Sequence, residues 1–383
     1  MNILRFVAFL IIYLRHSWSF VPDGWEYLPH NWVVHTPAWA GTWIFIILSG
    51  YGIGAGFHSG RYVMDRSGIR KYYLRRLTSI IPLYLVWILT LSICVDYDML
   101  QPGPTHIKWT MRLLFFTYQE QFESNVFGVG WYISTVFWLQ AAAPALYWVL
   151  KKIVTSERRL TYVLLAIMCM GLALRLSARI YYFNTMTDTW TRWVYKPPWF
   201  NLDLFCGGMA VSFAGEYRSL DQFPKLKKIV ALSVMADGFL LIIANSYMYR
   251  YESSSLVSQY IYRDIFPELY LFLTMVYIYC FDICRDYGYS RLTVGNLLRN
   301  PCRIFDCFRL IQYPMYLFHA VVMLSLQRAY FTRMYNGTLM LLRVPVDTFL
   351  WTKDILCVML AFVLTLAWSV TFILFARYYS RKT

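Results

Sequence analysis

Runs of about 20 apolar residues recur along the whole chain and alternate with short polar loops, and each run is long enough for a helix to cross a bilayer. The pattern predicts ten spans, near residues 3–22, 39–58, 79–97, 128–150, 160–183, 198–217, 229–247, 265–284, 305–327 and 351–377. We therefore predict an all-α integral membrane protein, a bundle of about ten transmembrane helices. Because no internal repeat, low-complexity tract or soluble appendage interrupts the pattern, residues 1–383 are expected to form a single membrane-embedded domain.

Composition and charge agree with a membrane protein. Apolar residues make up 58% of the chain and charged residues only 15%, whereas soluble domains carry about 25% charged residues. The net charge of +15 lies mostly in short loops, and no basic tail or RNA-binding signature is present, so nucleic acid is not an expected partner. The eight Cys form no CxxC pair and have no metal-ligand spacing, which predicts neither a metal site nor disulfides.

The distribution of Lys and Arg predicts the orientation of the bundle. With a cytoplasmic N-terminus, the inner loops and tail hold 21 Lys and Arg, whereas the outer loops hold ten over a greater total length. Cytoplasmic loops are enriched in these residues. The N-terminus and the C-terminus are therefore both expected in the cytoplasm, with the protein a multi-pass component of the plasma (inner) membrane.

Two ionisable residues lie inside the first predicted span. Arg5 and His16 interrupt the apolar run LRFVAFLIIYLRH and are eleven residues apart. At 3.6 residues per turn both share one helix face, about 16 Å apart along the axis. Ionisable groups at such depth are costly and usually functional. The stripe predicts a site that can be reached from both sides of the bilayer.

Six short motifs, in order and at plausible spacing, resemble those of the acyltransferase 3 family of integral-membrane acyltransferases. They are Arg5-x10-His16, Gly41 to Tyr51, Tyr73 to Leu77 followed by Ile80-Ile81-Pro82, Trp131-Tyr132-Ile133 with Pro144, Phe205 to Met209, and Tyr313 to His319. The resemblance covers nearly the whole chain. One departure is that the family often has Arg-x-x-Arg before the proline, whereas this chain has Ser79 at the second position.

The resemblance implies an O-acyltransferase. Such an enzyme would transfer an acyl group, most simply acetyl, from cytoplasmic acyl-CoA to a hydroxyl of a cell-surface polysaccharide or a lipid-linked sugar. Acyl-CoA is then a substrate rather than a permanently bound cofactor, and the other partners are the glycan acceptor and membrane lipids. An alternative is a polysaccharide or lipid-sugar exporter with the same architecture and no acyl-transfer chemistry. A structural assembly partner for a glycan synthase is a third possibility, which the ionisable first span disfavours.

Three residues are candidates for catalysis. His16 is the candidate base, because a hydroxyl is a poor nucleophile while protonated and imidazole titrates near neutral pH. A histidine that only ties two helices together is the alternative. Arg5 is a candidate partner for an anion, or a side chain that extends to lipid headgroups. His319 is a candidate to orient the acyl group or to stabilise an oxyanion, or it also ties helices together.

Other residues are candidates for acyl-CoA binding. Arg70, Arg75 and Arg76 form a basic cluster with Lys71, and guanidinium groups suit the phosphates of CoA. Any inner loop is expected to be basic, which is the alternative. Ser49 begins a segment with Gly at every second position from 50 to 56, suited to close helix packing or to the passage of a pantetheine arm.

Trp131 and several charged residues complete the set of candidates. Trp131 is an interfacial anchor or, by the resemblance, part of the site wall. Five other charged side chains lie within predicted spans, where mutual pairing would explain them without catalysis: Arg175, Arg179, Asp203, Asp237 and Glu268.

Overall fold

The computed structural model describes residues 2–16, 38–94, 110, 112–118, 129–181, 190–216, 224–250, 256–281, 304–329, 359–371 and 373–374. These residues are almost entirely helical, and no strand occurs among them, in agreement with the predicted all-α class. Parts of the predicted spans, among them 17–22 and 351–358, lie outside the described residues.

Eleven α-helices are described in these ranges. They are α1 (Asn2–His16), α2 (Ala38–His58), α3 (Arg66–Cys94), α4 (Gly130–Ile153), α5 (Glu157–Tyr181), α6 (Leu202–Val211), α7 (Pro224–Arg250), α8 (Leu256–Tyr260), α9 (Phe266–Phe281), α10 (Ile304–Ala329) and α11 (Met359–Thr371). Short π-helical turns (Thr191–Tyr195 and Ile261–Ile265) and 3-10 turns (Pro198–Asn201 and Ser212–Glu216) lie between or beside them.

Four helices in the described part of the chain are long and apolar enough to cross a membrane: α2, α3 over Arg66–Leu91, α4 and α5. They agree with the second to fifth predicted spans. The count of ten spans and the cytoplasmic position of both termini stay predictions.

Part of one predicted loop is helical. Residues 59–78 were expected to form an inner loop, but α3 begins at Arg66 and continues through the basic cluster. The Asp65 carboxylate accepts hydrogen bonds from the Gly68 backbone N–H (2.6 Å) and from the Ser67 hydroxyl (3.2 Å). Such a carboxylate satisfies the free N–H groups of a first helical turn. With no helix breaker between Gly68 and Pro82, the cap extends the helix well before the apolar run.

α2 is the central helix of the bundle. It packs most extensively against α6 and α1 and also contacts α4 and α9. In the most apolar stretch of 18 residues of each helix, 78% of the residues of α2 are buried but only 22% of those of α5. α5 therefore has a broad apolar surface suited to lipid. The core of the described chain therefore forms around α2.

Glycines allow the backbones of α2 and α6 to approach closely. A Cβ added at Gly50 of α2 would lie 2.0 Å from the Phe205 carbonyl oxygen, and one added at Gly208 of α6 would lie 2.0 Å from the Ile47 carbonyl oxygen. Real Cβ atoms do not occur at such distances from backbone, so the contact requires glycine on both helices. The close approach holds α2 at the depth where it meets α1.

Candidate active site

His16 and His319 lie side by side where α1 meets α10. The Nδ1 of His16 is 2.7 Å from the Nε2 of His319, and the planes of the two rings differ by only 6°. The His319 side chain has no exposed surface, whereas His16 is half-buried. A contact of this length is a hydrogen bond between ring nitrogens. The structure thus brings together two residues that the sequence analysis had proposed separately.

One face of α1 shapes the surroundings of this pair. Phe9, Tyr13 and His16 follow one another at helical spacing, and all three rings contact His319 of α10. The Phe9 ring meets the imidazole edge-on, with centroids 6.0 Å apart. A helix repeat of 3.6 residues places these side chains above one another. The apolar rings therefore enclose His319 on the side of α1.

Tyr316 holds His319 from within α10. The Nδ1 of His319 lies 2.5 Å from the backbone oxygen of Tyr316, three residues earlier. The Tyr316 hydroxyl in turn donates to the backbone oxygen of Val129, just before α4, at 3.2 Å. One tyrosine thus fixes the imidazole through its carbonyl and ties α10 to α4 through its hydroxyl.

Arg5 lies at the other end of the same face of α1, about three turns from His16. A Cβ added at Gly52 of α2 would lie 3.6 Å from the Nη2 of Arg5. The charge of Arg5 also acts on the hydroxyl of Tyr132, which hydrogen-bonds to the side chain of Ser49. Arg5, Ser49, Gly52 and Tyr132 therefore form a second polar group, which we call the Arg5 group. The ring of Tyr132 contacts that of Tyr316, so the group adjoins the histidine pair.

The alternate glycines of α2 have two different surroundings. An added Cβ would meet α6 at Gly50, and at Gly54 it would meet the Met209 carbonyl oxygen of α6 at 2.8 Å. At Gly52 it would meet, among the described residues, only the guanidinium of Arg5 within 4 Å. Residues two apart on a helix point to nearly opposite sides. Gly50 and Gly54 therefore serve helix packing, whereas Gly52 faces Arg5, and the passage of a pantetheine arm stays a prediction.

The three candidate arginines of α3 are not equivalent. Arg70 and Arg75 are exposed, whereas Arg76 is half-buried with its guanidinium 5.6 Å from the Tyr72 ring centroid. The Tyr72 hydroxyl donates to the backbone oxygen of Gln140 in α4 (2.8 Å). Arg70 and Arg75 thus present their charges to the surroundings, whereas Arg76 lies against Tyr72 of its own helix. None of the three shares the buried surroundings of His319.

Trp131 occupies the aromatic core at the start of α4. Its side chain is 6% exposed, and its ring centroid is 4.7 Å from that of Tyr195. The adjacent Tyr132 belongs to the Arg5 group. Trp131 was a candidate site residue from the sequence and Tyr132 was not, although the hydroxyl of a tyrosine in an apolar span was a signal in the same motif.

Buried ion pairs join α5, α6 and α9. Arg175 contacts the carboxylate of Asp203 and that of Glu268, the latter at 2.9 Å. The Nε of Arg179 lies 2.5 Å from the carboxylate of Asp264. Mutual pairing therefore accounts for four of the five charged candidates, with Asp264 as a partner that the sequence analysis missed. The fifth, Asp237, is exposed on α7.

A comparison with known families matches nearly the whole chain. The family model described as an acyltransferase domain, that of the acyltransferase 3 family, covers residues 1–374. No curated protein and no solved structure is detectably similar to the chain.

Proposed function

The chain belongs to the acyltransferase 3 family, and from this premise we propose that it is a membrane O-acyltransferase with His16 at its reaction centre. The proposed donor is acyl-CoA from the cytoplasm, with acetyl as the first acyl group to test. The proposed acceptor is a hydroxyl of a cell-surface polysaccharide or a lipid-linked sugar, in the plasma (inner) membrane.

The observation that carries this proposal is the 2.7 Å contact between His16 and His319. Acyl transfer from a thioester to an alcohol needs a base that takes the hydroxyl proton as the oxygen attacks. An imidazole serves best when a second group orients it, as in enzymes with an activated nucleophile. In this chain His319 supplies that second group, and His16 is the half-buried member that a substrate can approach.

The reaction would exchange one bond for another without an added co-reactant. The acceptor oxygen forms a bond to the acyl carbon while its proton moves to His16. The carbon–sulfur bond then breaks, and the thiolate of CoA takes the proton from the imidazolium. The aromatic side chains of Phe9 and Tyr13 exclude water from the buried side of the pair, which limits hydrolysis of the thioester.

The Arg5 group is the proposed contact for the acyl-CoA arm. A guanidinium forms charge-assisted hydrogen bonds with phosphate or carbonyl oxygens. Because Gly52 has no side chain, the Arg5 guanidinium lies next to helix backbone that no side chain covers. A narrow chain such as the acyl-CoA arm can lie against that surface. Arg5 is about 16 Å from His16 along α1, so donor binding and proton transfer would occupy opposite ends of one helix face.

The exposed arginines of α3 are the proposed contact for the phosphates of CoA. Arg70 and Arg75 lie on one helix and are unobstructed at the surface of the described chain. Phosphate groups of a soluble nucleotide would meet such side chains before the acyl arm enters the bundle. Arg76, which is half-buried beside Tyr72 of the same helix, is a less accessible candidate for the same contact.

The proposal is tested with purified protein in liposomes, labelled acetyl-CoA and crude surface glycans. We expect label in the glycan with the wild-type protein and a loss of about 10²–10⁴-fold in rate with His16→Gln. His58→Gln at the end of α2 is the matched control and should retain wild-type transfer. Equal transfer by His16→Gln and wild type would remove His16 from the reaction. Glycan movement without any dependence on acyl-CoA would favour the exporter instead.

A further inference from the structure

The protons of the histidine pair can be assigned from its backbone contact. The Nδ1 of His319 lies 2.5 Å from the backbone oxygen of Tyr316. A carbonyl oxygen only accepts hydrogen bonds, so the Nδ1 of His319 must carry a proton. A neutral imidazole carries one proton, which leaves the Nε2 of His319 as an acceptor.

The position of the proton on His16 follows from that on His319. The Nε2 of His319 can only accept, and the Nδ1 of His16 lies 2.7 Å from it. The Nδ1 of His16 must therefore donate, and in a neutral ring its Nε2 is then the unprotonated nitrogen. His319 is held in the neutral form because its side chain has no exposed surface, and burial disfavours a charged imidazole.

We propose that the Tyr316 carbonyl, His319 and His16 form a relay of fixed direction, which presents the Nε2 of His16 as the proton-accepting atom. His319 is then a positioning residue that acts through His16. The arrangement resembles a serine hydrolase triad, in which an acceptor on Nδ1 of the histidine fixes the reactive tautomer. Here the acceptor is a neutral ring nitrogen rather than a carboxylate.

A neutral hydrogen-bond acceptor suits the buried position of the histidine pair. A carboxylate in the same position would add a buried charge, whereas the imidazole of His319 satisfies both of its nitrogens without one. When His16 takes a proton, its Nδ1–H stays donated to His319, and the new charge is on the half-buried ring. The catalytic meaning of the relay rests on the proposed function, but the assignment of the protons does not.

The direction of the relay can be measured without any substrate. The full-length protein is labelled with ¹⁵N in its histidine rings and reconstituted in nanodiscs, and the His16 signals are identified from their absence in His16→Gln. At a pH where the pair is neutral, we expect the Nδ1 of His16 to have the shift of a protonated nitrogen and its Nε2 that of an unprotonated one. The opposite pattern in the wild-type protein would overturn the inference.

Two variants of His319 separate positioning from packing. His319→Gln can place an amide oxygen near the position of Nε2 and accept the same hydrogen bond, whereas His319→Met fills similar space and accepts only weakly. We expect His319→Gln to keep the His16 tautomer and His319→Met to lose it, with acyl transfer reduced about 10²-fold or more only in the latter. An unchanged His16 tautomer in folded His319→Met would contradict the relay.

The two proposals fail in different ways. A wild-type protein that transfers no acyl group but has the expected ¹⁵N pattern would overturn the proposed function and support the proton assignment. A wild-type protein that transfers acetyl but carries its proton on the Nε2 of His16 would overturn the relay alone.

Discussion

The Nδ1 of His16 and the Nε2 of His319 are 2.7 Å apart, although 303 positions separate the two residues in sequence. The contact requires α1 to lie deep against its neighbours. At Gly41 of α2 an added Cβ would be 2.3 Å from the Ala8 carbonyl oxygen of α1. A glycine at that crossing lets the two backbones meet, and α1 then presents the neighbouring face, with Phe9, Tyr13 and His16, to α10.

Substitutions in the glycine segment should separate packing from function. Gly50→Ala forces a Cβ to within 2.0 Å of the Phe205 carbonyl oxygen, so we expect a destabilisation of about 1–3 kcal/mol from overpacking. In the described part of the chain, the Cβ of Gly52→Ala meets only the end of the Arg5 side chain, at 3.6 Å, and should leave stability unchanged. Thermal unfolding in detergent compares the two variants.

A larger side chain at Gly52 tests the Arg5 group. Gly52→Val narrows the space beside Arg5, so we expect a higher KM for acetyl-CoA with little loss of folded protein. A KM equal to that of the wild type would place the acyl-CoA arm elsewhere.

Removal of the exposed arginines of α3 should weaken donor binding. The double variant Arg70→Ala with Arg75→Ala loses two charges that are available to phosphate, and we expect a roughly tenfold weaker affinity for acyl-CoA. Binding by the double variant should also depend less on salt concentration, because salt weakens binding by screening the charges that this variant lacks. Arg158→Ala with Arg159→Ala on α5 is the control, with the same loss of charge. Equal weakening by both doubles would point to net charge rather than to a site.

Removing the cation of the buried Arg175 ion pairs should lower the stability of the protein more than removing one of the carboxylates. Arg175→Met leaves two buried carboxylates without their cation, and we expect a loss of about 3–5 kcal/mol in the free energy of unfolding. Glu268→Gln should cost less, because Asp203 still balances the guanidinium. Denaturation in mixed detergent micelles measures the free energy of unfolding of each variant. Asp237→Asn at an exposed carboxylate is the control, and a loss there as large as that of Arg175→Met would contradict the pairing argument.

One substitution should separate the two roles of Tyr316, which are the contact of its backbone oxygen with His319 and the hydrogen bond of its hydroxyl to Val129. Tyr316→Phe removes the hydrogen bond to the Val129 carbonyl but keeps the backbone oxygen that contacts His319. We expect a stability loss of about 1 kcal/mol and an acyl-transfer rate near that of the wild type. A loss of rate as large as that of His319→Met, in a protein that is still folded, would show that the hydroxyl itself takes part.

Much of the helical framework could be predicted from the order of apolar and polar residues. The second predicted span, 39–58, agrees with α2 to within a residue, because a helix in hydrocarbon must satisfy its own backbone over the whole thickness. The loop predicted at 59–78 ends earlier, at residue 65, because a cap at Asp65 and the absence of breakers extend α3 into polar sequence. Local hydrogen bonds set that boundary, and hydropathy does not report them.

The sequence by itself determined the helical class, the family motifs and the shared face of Arg5 and His16, since each depends on spacing along a single helix. Only the tertiary structure decided that His319 is the partner of His16, that Gly52 rather than Gly50 lies beside Arg5, and that Asp264 pairs with Arg179. The periodicity of a helix gives the direction of a side chain relative to its own axis. Which helix stands opposite depends on how all of them pack, and here small residues at the crossings of α2 set that packing.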